Sequence, residues 1–407
     1  MIYNFDEEID RFDTNCLKWE FAFVDGEPLQ TDRAHAKHGD DRLLPLWVAD
    51  MDFRSPPAVV KALEERAAHG LFGYCKPDDG FYEAVEDWMA RRYDRSIDRS
   101  WITITPGVVS ALYAFMRAFS SEGDKILIQP PVYHPFYSAI EDTGRVVARN
   151  PLKLSDSGYE MDFADLAQKA ADPAVKMAIL CSPHNPVGRV WTPQELARFG
   201  QICRNNDVLV VSDEIHCDLI LNGHTFTSYA CINEDFARSS IICTAPSKTF
   251  NLAGLQLSNI IIENEELRAR FQQTLVANHI LGQNPFGLVA AEAAYRDGEE
   301  WLKEVLIYIE ENFHFLRSYL AEHLPQLKVT PLEGTYLAWV DFGALGLDPA
   351  QRSALLMEEA KVWLNSGEMF GPQGADFERI NLACSRSILA EALARIKTAV
   401  DSLAVPG

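Results

Sequence analysis

The sequence predicts an α/β protein, with a large domain on a mostly parallel sheet and a smaller α+β domain after it. Three observations predict this. Between residues 101 and 262, short continuous apolar runs alternate with stretches of helical character. Most of these runs end in a polar or Pro/Gly turn. Unbroken apolar strands alternating with helices mean a sheet covered on both faces, and such sheets are parallel. Beyond about residue 290 the pattern changes to a long helical stretch, then paired strands around a Leu-Glu-Gly turn. The expected division is an arm over 1–45 that packs with the small domain, a large domain over 46–289 and the small domain over 290–407.

In chain order, residues 1–45 are polar and irregular, with Phe12, Trp19, Phe21 and Phe23 set among charges. Residues 46–53 read as a short strand ending in acids. Pro56 and Pro57 open a helix to about 68, since proline suits a first helical turn. A second amphipathic helix covers 81–93. The alternation then begins with strand 101–105 and a helix to about 120, followed by strand 126–129 and a helix from 135. Strand 177–181 precedes a helix over 193–205, and strands 208–212, 240–244 and 259–262 complete the sheet. A helical stretch over 286–323, strands at 327–330 and 335–340, a helix near 350–365 and a strand at 379–383 make the small domain.

Composition narrows the function classes. Of 407 residues, 47% are apolar and 24% charged, as in ordinary globular enzymes. A formal net charge of -22 excludes a phosphate-backbone partner and docking on anionic membranes, both of which need clustered Lys and Arg. No apolar stretch is long enough to cross a bilayer, and the acidic start lacks the basic, apolar pattern of a signal peptide. The eight cysteines include no C-x-x-C pair, so a reducing cytoplasm is the expected compartment and no metal is expected.

Four polar features fall at strand ends, where open α/β sheets bind their ligands. The first is Thr105-Pro106-Gly107-Val108-Val109, which enters a helix whose free N–H groups suit a phosphate; a plain helix start is the alternative. The second, Ser182-Pro183-His184-Asn185-Pro186-Val187-Gly188, is a rigid turn presenting the Asn185 amide. The third is Asp213-Glu214-Ile215-His216. An acid after the buried run Val-Leu-Val-Val needs a cationic partner, unless it caps a helix. His216 is either a satisfied polar residue or a donor to the ligand. The fourth is Lys248, just past a Pro/Ser turn, with Phe250, Leu252, Ala253, Leu255 and Leu257 making an apolar flank. Such surroundings favour the neutral amine that a bond to an aldehyde cofactor requires. Farther on, Arg379 opens an apolar strand and suits bidentate binding of a carboxylate, as does Arg386; a surface ion pair is the alternative for either.

The set Asn185, Asp213, Lys248 and Arg379, in this order, resembles the fold type I pyridoxal-phosphate enzymes of the class I/II aminotransferase superfamily. Four stretches further resemble the cystathionine β-lyase-like C–S lyase subgroup. They are Phe5-Asp-x-x-Ile-Asp-Arg with Lys18-Trp19, Trp47-Val-Ala-Asp-Met-Asp-Phe53, Pro130-Pro-Val-Tyr-His-Pro-Phe136 and Ser212-Asp-Glu-Ile-His216. The resemblance implies a seven-stranded sheet and pyridoxal 5'-phosphate held covalently by Lys248, which also moves the substrate's Cα proton. It implies that Asp213 pairs with the ring nitrogen, Asn185 and His216 sit at the ring, and Tyr133 stacks on it. Gly107, Val108, Val109 and Ser247 would hold the phosphate, and Arg379 with Ala49 and Asn185 the substrate. Tyr74 matches a tyrosine that the family lends to the partner subunit, which implies a homodimer with its sites at the interface. Two positions depart from the aminotransferase pattern: His216 stands where a tyrosine is usual, and Gln256 where an arginine is usual. Both favour a lyase that releases thiol, pyruvate and ammonia from an amino acid over an aminotransferase on the same scaffold.

Overall fold

A computed structural model describes residues 2–24, 27–30, 43–155 and 157–403. Its centre is a sheet of seven strands. These are β1 (Ile102–Thr105), β2 (Lys125–Ile128), β3 (Val146–Arg149), β4 (Val175–Cys181), β5 (Leu209–Asp213), β6 (Ser240–Thr244) and β7 (Ser258–Ile261). Their spatial order is β1-β7-β6-β5-β4-β2-β3. Of these, β7 alone runs against its neighbours, so the sheet is mostly parallel as expected.

The main helices are α1 (Pro57–His69), α2 (Asp79–Tyr93), α3 (Val108–Phe119), α4 (Pro135–Glu141), α5 (Pro193–Asn205), α6 (Glu265–Ala277), α7 (Pro285–Asp297), α8 (Glu299–His323) and α9 (Arg386–Leu403). Successive strand residues point to opposite faces, and the two buried clusters follow that alternation. Met177, Ile179 and Cys181 of β4 join Ile126, Ile128, Val211 and Ile241 beneath α3, α4 and α6. Ala178, Leu180, Leu127, Val210 and Ile242 face the other way, into a larger core with α2, α5, α7 and α8. Burial on both faces is why these strands read as unbroken apolar runs.

A second, antiparallel sheet of β8 (Lys328–Val329), β9 (Leu337–Asp341), β10 (Asn365–Ser366) and β11 (Phe377–Asn381) has the order β8-β9-β11-β10. Among the described residues no helix is long and apolar enough to cross a membrane.

The structure departs from the expected elements at several places, each with a local cause. Residues 46–53 form no strand; Leu46 still pairs with the Trp363 and Asn381 backbones, but from Trp47 to Phe53 most carbonyls are taken up by side chains instead of a neighbouring strand, as described below. The irregular arm contains a helical turn, Leu17–Glu20, and a hairpin of Phe21–Val24 with Glu27–Gln30. Residues 31–42 of that arm lie outside the described residues. Its first residues contact α8 and α9: the Ile2 N–H donates to Glu304, Tyr308 to Asp6 and Ser387 to Glu8. The helix expected near 350–365 stops early: Pro349–Ala354 is capped by Asp348, a π turn follows, and Lys361 at φ +54° turns the chain into Val362–Trp363. The stretch 286–323 is two helices meeting at Gly298, where a Cβ would lie 2.5 Å from the Ala294 carbonyl and 2.6 Å from the Phe250 ring. Several elements were not expected, among them the helix Phe163–Ala170 and the hairpin of Lys153–Ser155 with Gly158–Glu160. Strand β3 is an edge strand with no fully buried residue, although Val146, Val147 and Ala148 are apolar, and α6 buries only Phe271 and Leu275.

Candidate active site

Strand register brings the predicted residues to one edge. Asp213, the last residue of β5, pairs with Cys181 of β4 on one side and Cys243 of β6 on the other. The loop after β4 therefore delivers Asn185, and the turn after β6 delivers Lys248, to either side of Asp213. At the same edge Thr105 of β1 is followed by Gly107, whose φ of +118° and open Cβ position start α3 with no side chain over its N-terminus. A cavity of about 220 Å³ lies here. Gly107, Val108, Val109 and Ser247 line one end of the set, and Tyr133, Asn185, Asp213, His216, Lys248 and Ala49 line the rest. Cys181, Ile215, Ser110 and Gln256 also line it, none of which the strand-end pattern singled out as ligand-binding.

Lys248 sits in a single helical turn, Pro246–Thr249, and its Nζ donates to the Ala49 carbonyl at 2.7 Å. Burial lowers its ammonium to about 8; the Arg379 guanidinium adds to this, while Asp50 and Asp213 oppose it. The next residue, Thr249, donates to the buried Asp218 at 2.8 Å. Asp218 also accepts from Trp88 Nε1 at 3.1 Å and from the Tyr93 hydroxyl, both on α2. Asp213 has the opposite shift. Burial raises its carboxyl to about 7, against one backbone N–H, that of Ile215, donating at 3.2 Å. His216 is held neutral, well below the ordinary imidazole value, by burial and by the Lys248 and Arg379 charges. Its Nδ1 is buried without a partner. Burial likewise raises the Tyr133 phenol to about 12, so its ring is a neutral face on the cavity wall.

Arg379, on β11 of the small sheet, does not itself line the cavity and meets it through Asn185. Its guanidinium donates to Asn185 Oδ1 at 3.0 Å, to the Trp47 carbonyl at 2.9 Å and to Asn365 Oδ1. It lies 4.9 Å over the Phe370 ring, and its Nε has no partner. Burial lowers its guanidinium to about 10. Arg386 takes no part: its Nε donates to Asn312 at 2.6 Å and it stacks on Phe315. Tyr74 is not brought in either; within this chain it is fully exposed, in a segment with exposed Leu71 and Phe72.

Sequence reasoning missed the residues that hold the wall opposite the sheet. From Trp47 to Phe53 the chain is irregular, and side chains take its carbonyls one after another. Arg379 takes Trp47, and Asn381 takes Val48 and Asp50, each at 2.6 Å. Lys248 and the Tyr336 hydroxyl share Ala49, and Asn251 takes Met51 and Phe53. Asn251, Tyr336 and Asn381 each stand singly in apolar surroundings, and only the fold shows that they converge.

The residues present fit pyridoxal phosphate. The uncapped start of α3 beside Ser247 offers donors to a phosphate, and Asp213 at the other side is a buried carboxylate short of partners. Lys248 supplies an amine close to neutrality between them. Among the described residues no arginine lines the cavity, and Gln256 occupies that position at φ +50°.

Comparison with known proteins gives a consistent result. The family model for aminotransferase class I and II matches residues 42–396. The chain is 44% identical over 398 residues to cystathionine beta-lyase PatB of Bacillus subtilis, covering 98% of this chain and 100% of that protein. It is 31% identical to the protein MalY of Escherichia coli, over 99% of this chain and all of the relative. Among solved structures, cystalysin from Treponema denticola, which contains a pyridoxal 5'-phosphate cofactor, superposes with a TM-score of 0.93 at 35% identity, covering 99% of this chain and 100% of that one.

Proposed function

The chain belongs to the class I and II aminotransferase family, and from that premise we propose that it is a pyridoxal-phosphate-dependent carbon–sulfur β-lyase. It acts on L-cystathionine or a related S-substituted cysteine and releases a thiol, pyruvate and ammonia. The observation that carries the reading is the 44% identity, end to end, to a cystathionine beta-lyase. His216 and Gln256 at the two positions where aminotransferases differ agree with it.

When bound, pyridoxal phosphate supplies an aldehyde that bonds amines and a ring that withdraws electrons from the substrate's Cα. The chain's own residues do the rest. Lys248 would hold the cofactor through its Nζ, and with substrate bound that amine is free to take the proton from Cα. The pair left at Cα becomes the Cα–Cβ double bond as the Cβ–S bond breaks, and the sulfur leaves with the Cβ–S pair and takes up a proton to become the thiol. Water completes the breakdown of the remaining fragment to pyruvate and ammonia. Asp213 faces the ring nitrogen, and a cation there returns its carboxyl to the ionised form that burial disfavours. Asn185 would sit at the ring, its Oδ1 already accepting from Arg379. Arg379 binds the substrate's α-carboxylate, for which its unpartnered Nε is available. With the cofactor in place Tyr133 would cover the ring face, His216 would lie at the ring, and Gly107, Val108, Val109 and Ser247 would receive the phosphate. Ala49 lies against the substrate.

We also propose a homodimer in the cytoplasm, with an arm over 1–45, a large domain over 46–289 and a small domain over 290–407. The exposed Phe72, Tyr74, Val276 and Leu281 line a cleft of about 1260 Å³, which a second copy would cover. In that arrangement the partner subunit's Tyr74 supplies a phosphate contact.

The test is pyruvate and ammonia release from L-cystathionine by cofactor-loaded protein without any 2-oxo acid. Sustained release over many turnovers is expected. Turnover only after a 2-oxo acid and an amino donor are added would make the protein an aminotransferase.

A further inference from the structure

Tyr336 stands out as a buried phenol whose only hydroxyl contact among the described residues is with a group that Lys248 also uses. It precedes β9, is 1% exposed, and its hydroxyl donates to the Ala49 carbonyl oxygen at 2.8 Å. The same oxygen accepts from Lys248 Nζ at 2.7 Å. A carbonyl oxygen has two lone pairs, and here each is assigned to one donor. The Tyr336 ring packs edge-on against His216, with 6.0 Å between ring centres, so the phenol is braced from the cavity side. Ala49 itself cannot drift. The carbonyls before and after it, those of Val48 and Asp50, are both held by Asn381, and Asn251 accepts from the Met51 N–H at 3.0 Å.

We propose that Tyr336 is a positioning residue for Lys248: its hydroxyl pins the Ala49 oxygen, and that oxygen fixes where the lysine amine stands beside Asp213. Tyr336 does not line the cavity, so it acts through Ala49 rather than by touching substrate or cofactor. The hydroxyl also moderates the oxygen. An acceptor already receiving one O–H offers less to an ammonium, which favours the neutral, nucleophilic amine. This agrees with an amine lowered to about 8 by burial and the nearby guanidinium. The inference rests on Lys248 being the cofactor-bearing lysine.

The experiment uses the full-length chain stripped of cofactor and follows covalent capture of pyridoxal phosphate, by visible absorbance and borohydride fixation, across pH. Tyr336→Phe removes one oxygen and keeps the ring on His216, and Ala49 keeps its second donor. The midpoint of capture should move up by about half a pH unit, and capture near pH 7 should slow by roughly three- to tenfold. In the reloaded enzyme kcat should fall while KM changes less than about twofold, as when a catalytic step rather than ground-state binding is impaired. Fluorotyrosine placed at 336 keeps the hydroxyl and should restore capture. A merely structural role would lower the melting temperature and leave the midpoint where it was. Wild-type rate and midpoint in Tyr336→Phe would overturn the inference. Lys248→Ala run alongside separates the two readings: covalent capture by that variant would mean that the lysine itself had been assigned wrongly.

Discussion

The site has two walls of opposite construction. One is the carboxyl edge of the large sheet, where Gly107, Asn185, Asp213 and Lys248 hang from strands buried on both faces. The other is the irregular run from Trp47 to Phe53, with no ladder of its own, held by side chains from three distant parts of the chain. The first wall is positioned by packing and backbone register, the second by amides, a phenol and a guanidinium. Chemistry is carried mainly by the sheet wall, and the placement of its lysine is shared with the other. Backbone groups excluded from regular structure must find partners elsewhere, and here they find them in side chains that the site also needs.

Breaking the sheet wall should have the largest effect. Lys248→Ala should abolish turnover and the visible absorbance of the bound cofactor while leaving the fold intact, as read by circular dichroism. Asp213→Ala should lower kcat/KM by about 10³-fold, the loss typical of a key electrostatic group. Asp213 also has a pH signature in the cofactor-free chain. Its folded carboxyl, at about 7, lies above the ordinary value of 3.8, so the folded state binds the proton more tightly. The stability this contributes is present below the unfolded pKa and is lost as pH rises through about 7. Asp213→Asn should therefore melt higher than wild type at pH 8, and gain nothing at pH 3. Equal melting temperatures at both pH values would show that Asp213 is not desolvated as described.

Breaking the second wall tests whether it is scaffolding or chemistry. Asn381→Ala leaves the Val48 and Asp50 carbonyls unpaired and should destabilise the protein by about 3 kcal/mol, measured by denaturant unfolding. Its kcat should fall as Ala49 loosens. A loss of stability with unchanged kcat would separate the two walls completely. The smallest effect is expected from the sheet's apolar floor, where Ile179→Val should cost about 1 kcal/mol and leave kcat unchanged.

The same contrast decides what could be read from the sequence. The sheet was legible because β4, β5 and β6 are unbroken apolar runs ending in Cys181, Asp213 and Thr244, and register then places their loops together. Lys248, Asp213 and Asn185 could be singled out by residue type at those ends. Strand β3 and helix α6 escaped because an edge strand and a surface helix bury too little to leave a pattern. The expected strand over 46–53 was wrong for a related reason. Alternation and acids describe the side chains, whereas the conformation there is set by what bonds the backbone, from Asn251, Tyr336, Arg379 and Asn381. Nothing local marks such long-range side-chain to backbone bonds.

The Asp218 junction has a mechanical consequence. Helix α2 begins five residues after the exposed Tyr74, spans about 22 Å, and near its end sends Trp88 and Tyr93 to Asp218, which grips Thr249 beside Lys248. Surface and lysine are thus joined by one stiff lever rather than by a chain of loops. Substitutions on the buried face of this lever will register as slack at the amine, and screening them by stability alone would overlook their main cost.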